Sequence, residues 1–159
     1  MPGRRRSVLL RTAPLLLAAV VGALVMDGDF VYDDGSAIVD NPVVNGAIPW
    51  WEAFVRDFWG RPASHGFTTW RPLMPVVWAQ VWAWWPNDPL PYRILSAALH
   101  VLAVASCMRF AYRVEPSEAW VASVGALFAV HPLNSEAVSA IVAQADMLSF
   151  ALVLVACTI

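Results

Sequence analysis

Long apolar runs separated by polar segments of unequal length constrain this chain more than any other feature. They cover about 8–26, 93–110, 117–132 and the stretch from 147 to Ile159. A helix rises about 1.5 Å per residue, so roughly 20 apolar residues suffice to cross the hydrocarbon core of a bilayer. The chain is 59% hydrophobic and 14% charged over 159 residues, a balance that soluble domains of this size seldom show. The expected fold class is an all-α polytopic membrane protein.

The first run follows Arg4, Arg5 and Arg6, a pattern that also fits a cleavable or twin-arginine signal peptide. No small-x-small cleavage site follows it, and Arg11 can snorkel to the surface, so the run reads as an uncleaved first span, about 8–26. The arginines place the N-terminus in the cytoplasm by the positive-inside rule, and 27–92 becomes an external loop. Eight of the nine tryptophans lie between Trp50 and Trp85. Tryptophan favours the headgroup level, so the loop is predicted to carry two interfacial helices. One is Trp50 to Trp59, with Pro49 at its start and Gly60 after it; the other is Arg71 to Trp85, interrupted by Pro72 and Pro75 and too short for a span.

The second span, about 93–110, runs inward to Arg109 and Arg113, and the third, about 117–132, returns from a cap at Ser117 or Glu118 to the break at His131-Pro132. An external segment, 133–146, leads to a fourth span from 147 that is incomplete at Ile159. The chain is therefore expected to be the N-terminal part of a larger membrane domain and inactive alone. This arrangement puts six arginines against two glutamates inside, and four arginines against ten acids outside. The bias agrees with the positive-inside rule.

All ten basic residues are arginine, which hints at a GC-rich genome, a bacterial source and hence a bacterial inner membrane. No basic patch is interleaved with aromatics in the way nucleic-acid binding needs, so nucleic acid is excluded as a partner. Cys107 and Cys157 lie within apolar runs and read as small hydrophobes.

The adjacent carboxylates Asp33 and Asp34 stand just beyond the first span, where charges need partners or water, and such an acid pair is a functional-site hypothesis by default. On this topology Arg71, Arg93, His131, Glu136 and Asp146 join them on the external face. Each has a plainer role available. The pair can be a polar loop turning at Asp34-Gly35, Asp146 can cap the fourth span, and Glu136 can be the first-turn acid of a short helix. His131 can rest at the boundary, and His100, in mid-span, reads as a packed, hydrogen-bonded histidine. A second class is also open: a non-catalytic polytopic membrane protein, or a transporter fragment whose external acids bind ions. A transporter should carry ionisable or helix-breaking residues near the midplane, where this chain offers only His100.

Three motifs in order carry a resemblance. They are Phe30-Val31-Tyr32-Asp33-Asp34 with Ala37-Ile38-Val39 and Asn41-Pro42, then Trp70-Arg71-Pro72-Leu73, then His131-Pro132-Leu133-Asn134-Ser135-Glu136-Ala137-Val138 with Gln144-Ala145-Asp146. Together they resemble the transmembrane and tetratricopeptide-repeat family of protein O-mannosyltransferases and its bacterial relatives. The resemblance implies a GT-C glycosyltransferase architecture and inverting transfer of a sugar from a polyprenyl-phosphate donor to a hydroxyl of a protein or glycan acceptor. It implies Asp33 as general base, with Asp34 orienting it or binding a metal or the acceptor; whether a divalent metal is needed stays open. Arg71 and Arg93 become candidates for the donor phosphate, with His131, Glu136 and Asp146 along the pocket edge. The tryptophans would position isoprenoid and sugar or simply anchor the loop in membrane lipid. The family pattern has Gly-Arg where this chain has Ala143-Gln144, which puts a phosphate contact there in doubt. Any tetratricopeptide repeat would lie downstream of Ile159.

Overall fold

The computed structural model describes residues 2–62, 64 and 69–159, with side chains described from Ser7 onward, apart from 63 and 65–68. The side chains of Arg4, Arg5 and Arg6, on which the expected orientation rests, therefore lie outside the described residues. The described chain is helical and contains α1 (Pro2–Ala23), α2 (Leu73–Trp84), α3 (Leu90–Val114), α4 (Glu118–Val130), α5 (Pro132–Ser139) and α6 (Gln144–Ala156).

Helix α3 is the axis against which α1, α4 and α6 pack. Small residues permit the closest approaches. A Cβ on Gly22 would stand 2.5 Å from Ala97 Cβ, and one on Gly125 would stand 2.5 Å from Met108 Cγ, so these two glycines let α1 and α4 close onto α3. Ala18, Val104, Met108, Ala111, Val121 and Ala129 form the buried seam between the three helices. A second core, including Ile38, Phe58, Met74, Trp78, Tyr92 and Ile141, joins the long loop to the start of α3 and to α6.

Helix α3 extends a few residues past both ends of the expected second span. Its 25 residues make it the one helix, among those described, long and apolar enough to cross a membrane. Helix α4 has 13 residues, or about 20 Å, short of a hydrocarbon core of roughly 30 Å. Pro132 ends it, because a residue before proline is pushed to extended backbone, and His131 has φ −65° and ψ 133°. The polar segment expected at 133–146 is mostly helical: α5 and the helix beyond it together pass as one broken span, bent by 108°. The all-helical expectation is thus met, while among the described residues length and composition mark one helix as long and apolar enough to span, or two counting the bent pair.

The loop differs too. Trp50–Phe54 is a single 3-10 turn, not a helix reaching Trp59. Asp57 Oδ1 accepts the backbone N–H groups of Trp59 and Arg61 at 3.0 and 2.8 Å, which closes the following residues into a turn. The expected helix at Arg71 to Trp85 is present as α2.

Candidate functional site

The motif around the acid pair is built by buried anchors. Phe30 meets the Tyr92 ring edge-on at 5.6 Å, and Ala37 and Ile38 are fully buried in a π-helical turn, Gly35–Val39. Asn41 ends the motif by donating Nδ2 to Phe58 O at 3.0 Å while its Oδ1 accepts from Val43 N–H at 3.0 Å. Gly60, at φ +75°, passes so close that a Cβ would reach within 2.4 Å of Asn41 Oδ1. The Asn41-Pro42 element is therefore a fastening for the loop.

Between these anchors the two aspartates part company. Asp34 is fully buried, and its oxygens accept from Val142 N–H at 3.0 Å and Val31 N–H at 3.3 Å. It ties the loop after α1 to the turn before α6, 108 residues away. Burial pushes its carboxyl above the usual carboxylate range, against the opposing pull of the Val142 and Val31 N–H groups and the charge of Arg93. Asp33 is exposed, and its carboxylate makes no hydrogen bond or ion pair among the described residues. Tyr32, at φ 47°, turns the chain just before them and is fully exposed.

Asp33, Asp34 and Glu136 line one cavity of about 390 Å³, walled also by Val31, Leu133 and Val142. Glu136 sits within α5, not in its first turn. Asp146 lines a neighbouring cavity of about 230 Å³ with His100, Asn134 and Phe128, and Ala137 borders both. Asp146 lies in the first turn of α6, where its charge suits the helix dipole, and forms a 2.9 Å ion pair with Arg71, whose guanidinium also lies 5.8 Å from the Phe58 ring centroid.

Two candidates occupy other kinds of position. Arg93 is buried and donates to the carbonyls of Gly28 at 2.7 Å, Ser139 at 3.1 Å and Asp29, clamping the loop after α1 and the end of α5 onto α3. His131 caps α5, its Nδ1 accepting from Leu133 N–H at 3.3 Å. Outside the candidate set, His100 is buried and shares a 3.0 Å hydrogen bond with Ala129 O, as a packed histidine should.

Gln144 has a structural role that its place in the third motif did not reveal. It is fully buried; its Oε1 accepts the Trp78 indole N–H at 2.8 Å, and its Nε2 donates to Tyr92 O at 2.7 Å and Ser96 Oγ at 2.8 Å. This amide joins α2, α3 and α6. The signal was available, since a glutamine inside an apolar stretch needs partners. Among the described residues no group of three or more His, Cys, Asp or Glu side chains is arranged to hold a metal ion.

The arrangement offers an exposed carboxylate on one cavity, a fixed buried carboxyl beside it, and, through Asp146 on the adjoining cavity, an ion-paired arginine. No family model and no solved structure matches the chain. Curated proteins do. The chain is 38% identical over 137 residues to Protein O-mannosyl-transferase Tmtc1 of Drosophila melanogaster, covering 84% of this chain and 16% of that protein. It is 37% identical over 136 residues to Protein O-mannosyl-transferase Tmtc2 of the same organism, covering 82% and 14%. The chain thus spans about one sixth of the length of the curated relatives it matches. Identity at this level over most of the chain supports the protein O-mannosyl-transferase family for this stretch.

Proposed function

We propose that this chain is the N-terminal part of a multi-pass membrane glycosyltransferase of O-mannosyltransferase type, with the GT-C architecture and an N-terminus in the cytoplasm. The reading takes the similarity to protein O-mannosyl-transferases as its premise. The proposed reaction moves a sugar from a polyprenyl-phosphate donor to an acceptor hydroxyl on the external face, in bacteria at the inner membrane. The single observation that carries the site is the meeting of Asp33, Asp34 and Glu136 on one cavity, although about a hundred residues separate the pair from Glu136.

In this mechanism Asp33 takes the proton of the acceptor hydroxyl as that oxygen attacks the anomeric carbon, and the lipid phosphate leaves from the opposite face of the sugar. A general base must be reachable and ionised. Asp33 is exposed on the cavity, whereas both oxygens of Asp34 already accept backbone N–H groups. Asp34 therefore acts as a positioning residue that holds the Asp33 loop against α5 and α6. Arg71 supplies charge to the leaving phosphate, a role for which a planar fork of N–H donors is suited, and Asp146 holds it in place. Arg93 contributes by fixing the loop, and Glu136 borders the acceptor side of the cavity. Trp50, Trp51, Trp70, Trp84 and Trp85 are at least partly exposed and would meet the headgroup layer.

The test is sugar transfer by membranes carrying the full-length protein, comparing wild type with Asp33→Asn. Loss of a general base typically lowers turnover by about 10²- to 10⁴-fold. Unchanged turnover removes Asp33 from the mechanism.

A further inference from the structure

The end of the helical bundle opposite the acid pair carries a further cavity. Helices α1 and α3 run antiparallel, with Gly22 near Ala97 at one end and Ser7 and Arg11 bonded to Glu118 at the other. Along α3, Arg109 stands 16 residues beyond Arg93, or about 24 Å at the helical rise. Here a cavity of about 310 Å³ is lined by Leu10, Arg11, Met108, Arg109, Tyr112 and Glu118, and by Val121. Its floor is apolar and its rim is basic.

We propose that this cavity binds the phosphate of an anionic membrane lipid in the leaflet opposite the acid pair. The two arginines are already oriented. Arg109 donates Nε to Thr158 Oγ1 at 2.8 Å and Nη2 to Thr158 O at 3.4 Å, and its Nη1 has no partner among the described residues. Arg11 spends Nη2 on Glu118 Oε1 at 2.9 Å, leaving Nε and Nη1 without partners among the described residues. A guanidinium held in place loses less freedom when it takes up a phosphate oxygen. Glu118 is the one acid on the rim, and its Oε1 is engaged by Ser7 and Arg11 at 2.6 and 2.9 Å. Arg113, one turn beyond Arg109, adds positive charge while bonded to Thr158 O at 2.6 Å. Leu10, Met108 and Val121 give the first carbons of an acyl chain an apolar surface, which a free phosphate would not use.

The experiment uses the full-length protein purified in neutral detergent, with phosphatidylglycerol as probe and bound lipid counted by native mass spectrometry. One retained phosphatidylglycerol per chain is expected at this site. The double variant Arg11→Gln/Arg109→Gln should weaken retention about tenfold or more, as expected for losing two charge-assisted contacts. Glu118→Gln removes the opposing charge and should tighten it, a gain that misfolding would not produce. Arg61→Gln, in the loop at the other end, should leave it unchanged. Equal retention by wild type and the double variant overturns the proposal. So does displacement of the lipid by millimolar inorganic phosphate, which would mark a site for the free anion, or equal retention of phosphatidylcholine.

Discussion

The indole N–H of Trp78 on α2 donates to Oε1 of Gln144 at the start of α6, at 2.8 Å, and both side chains are fully buried. Through this bond and the two from Gln144 Nε2 to α3, helix α2, which follows Arg71, is tied to α3 and to α6, which carries Asp146. Gln144→Leu should leave the buried Trp78 indole N–H without its acceptor, costing about 1–3 kcal/mol. Gln144→Arg should also destabilise, because a guanidinium there would be buried without an acid partner. Thermal melting of the purified variants checks both.

The close passage of Gly28 past Arg93 gives a second prediction. A Cβ at Gly28 would fall 2.4 Å from Arg93 Cζ, at a guanidinium fixed by three carbonyls. Gly28→Ala should therefore displace the clamp and cost about 1–3 kcal/mol, as overpacking usually does. The same substitution at Gly35, where no heavy atom lies within 4 Å of the would-be Cβ, should be close to neutral. Equal melting losses for the two variants would argue against the clamp.

Arg71 and Asp146 are exposed at 45% and 67%, so their ion pair contributes little stability, about 1 kcal/mol at most. Arg71→Gln should leave the melting temperature nearly unchanged while lowering transfer by about 10²-fold or more, the usual result of removing a donor to developing charge. A parallel loss of stability and activity would reassign Arg71 to structure.

Asp34 should reverse the common pH behaviour of a buried carboxylate. Its folded pKa is raised, chiefly by burial, so the folded state binds the proton more tightly than the unfolded chain. Its contribution to stability is then greatest at low pH and is lost as pH rises from the unfolded value through the raised folded one. The melting advantage of wild type over Asp34→Asn should accordingly be larger at about pH 4 than at about pH 7. An advantage that grows toward neutral pH would mean that the Val142 and Val31 bonds outweigh burial.

Much of the helix plan was legible from hydrophobicity and proline alone: α3, α2 and the break at His131-Pro132 follow from local sequence. The span count was not. Apolar length does not reveal where a chain folds back, and the sharp bend at Ala140 depends on Arg93 and Asp34 binding the backbone on either side of it. Asp33, Asp34 and Glu136 line one cavity and Asp146 lines the adjoining one, a placement that rests on contacts between distant parts of the chain. What periodicity could not show was the division of labour, in which Arg93 and Asp34 serve the backbone while Asp33, Arg71 and Glu136 face outward. That division depends on contacts between residues far apart in the chain.

The central claim is that Asp33 removes the acceptor proton while Asp34 only positions it. It is tested most directly by single-turnover transfer from a polyprenyl-phosphate sugar in membranes of the full-length protein carrying Asp33→Asn, with melting of the same variant measured alongside. The account predicts a fall of about 10²- to 10⁴-fold in the transfer rate with an unchanged melting temperature. A rate equal to wild type in a folded Asp33→Asn protein would contradict it.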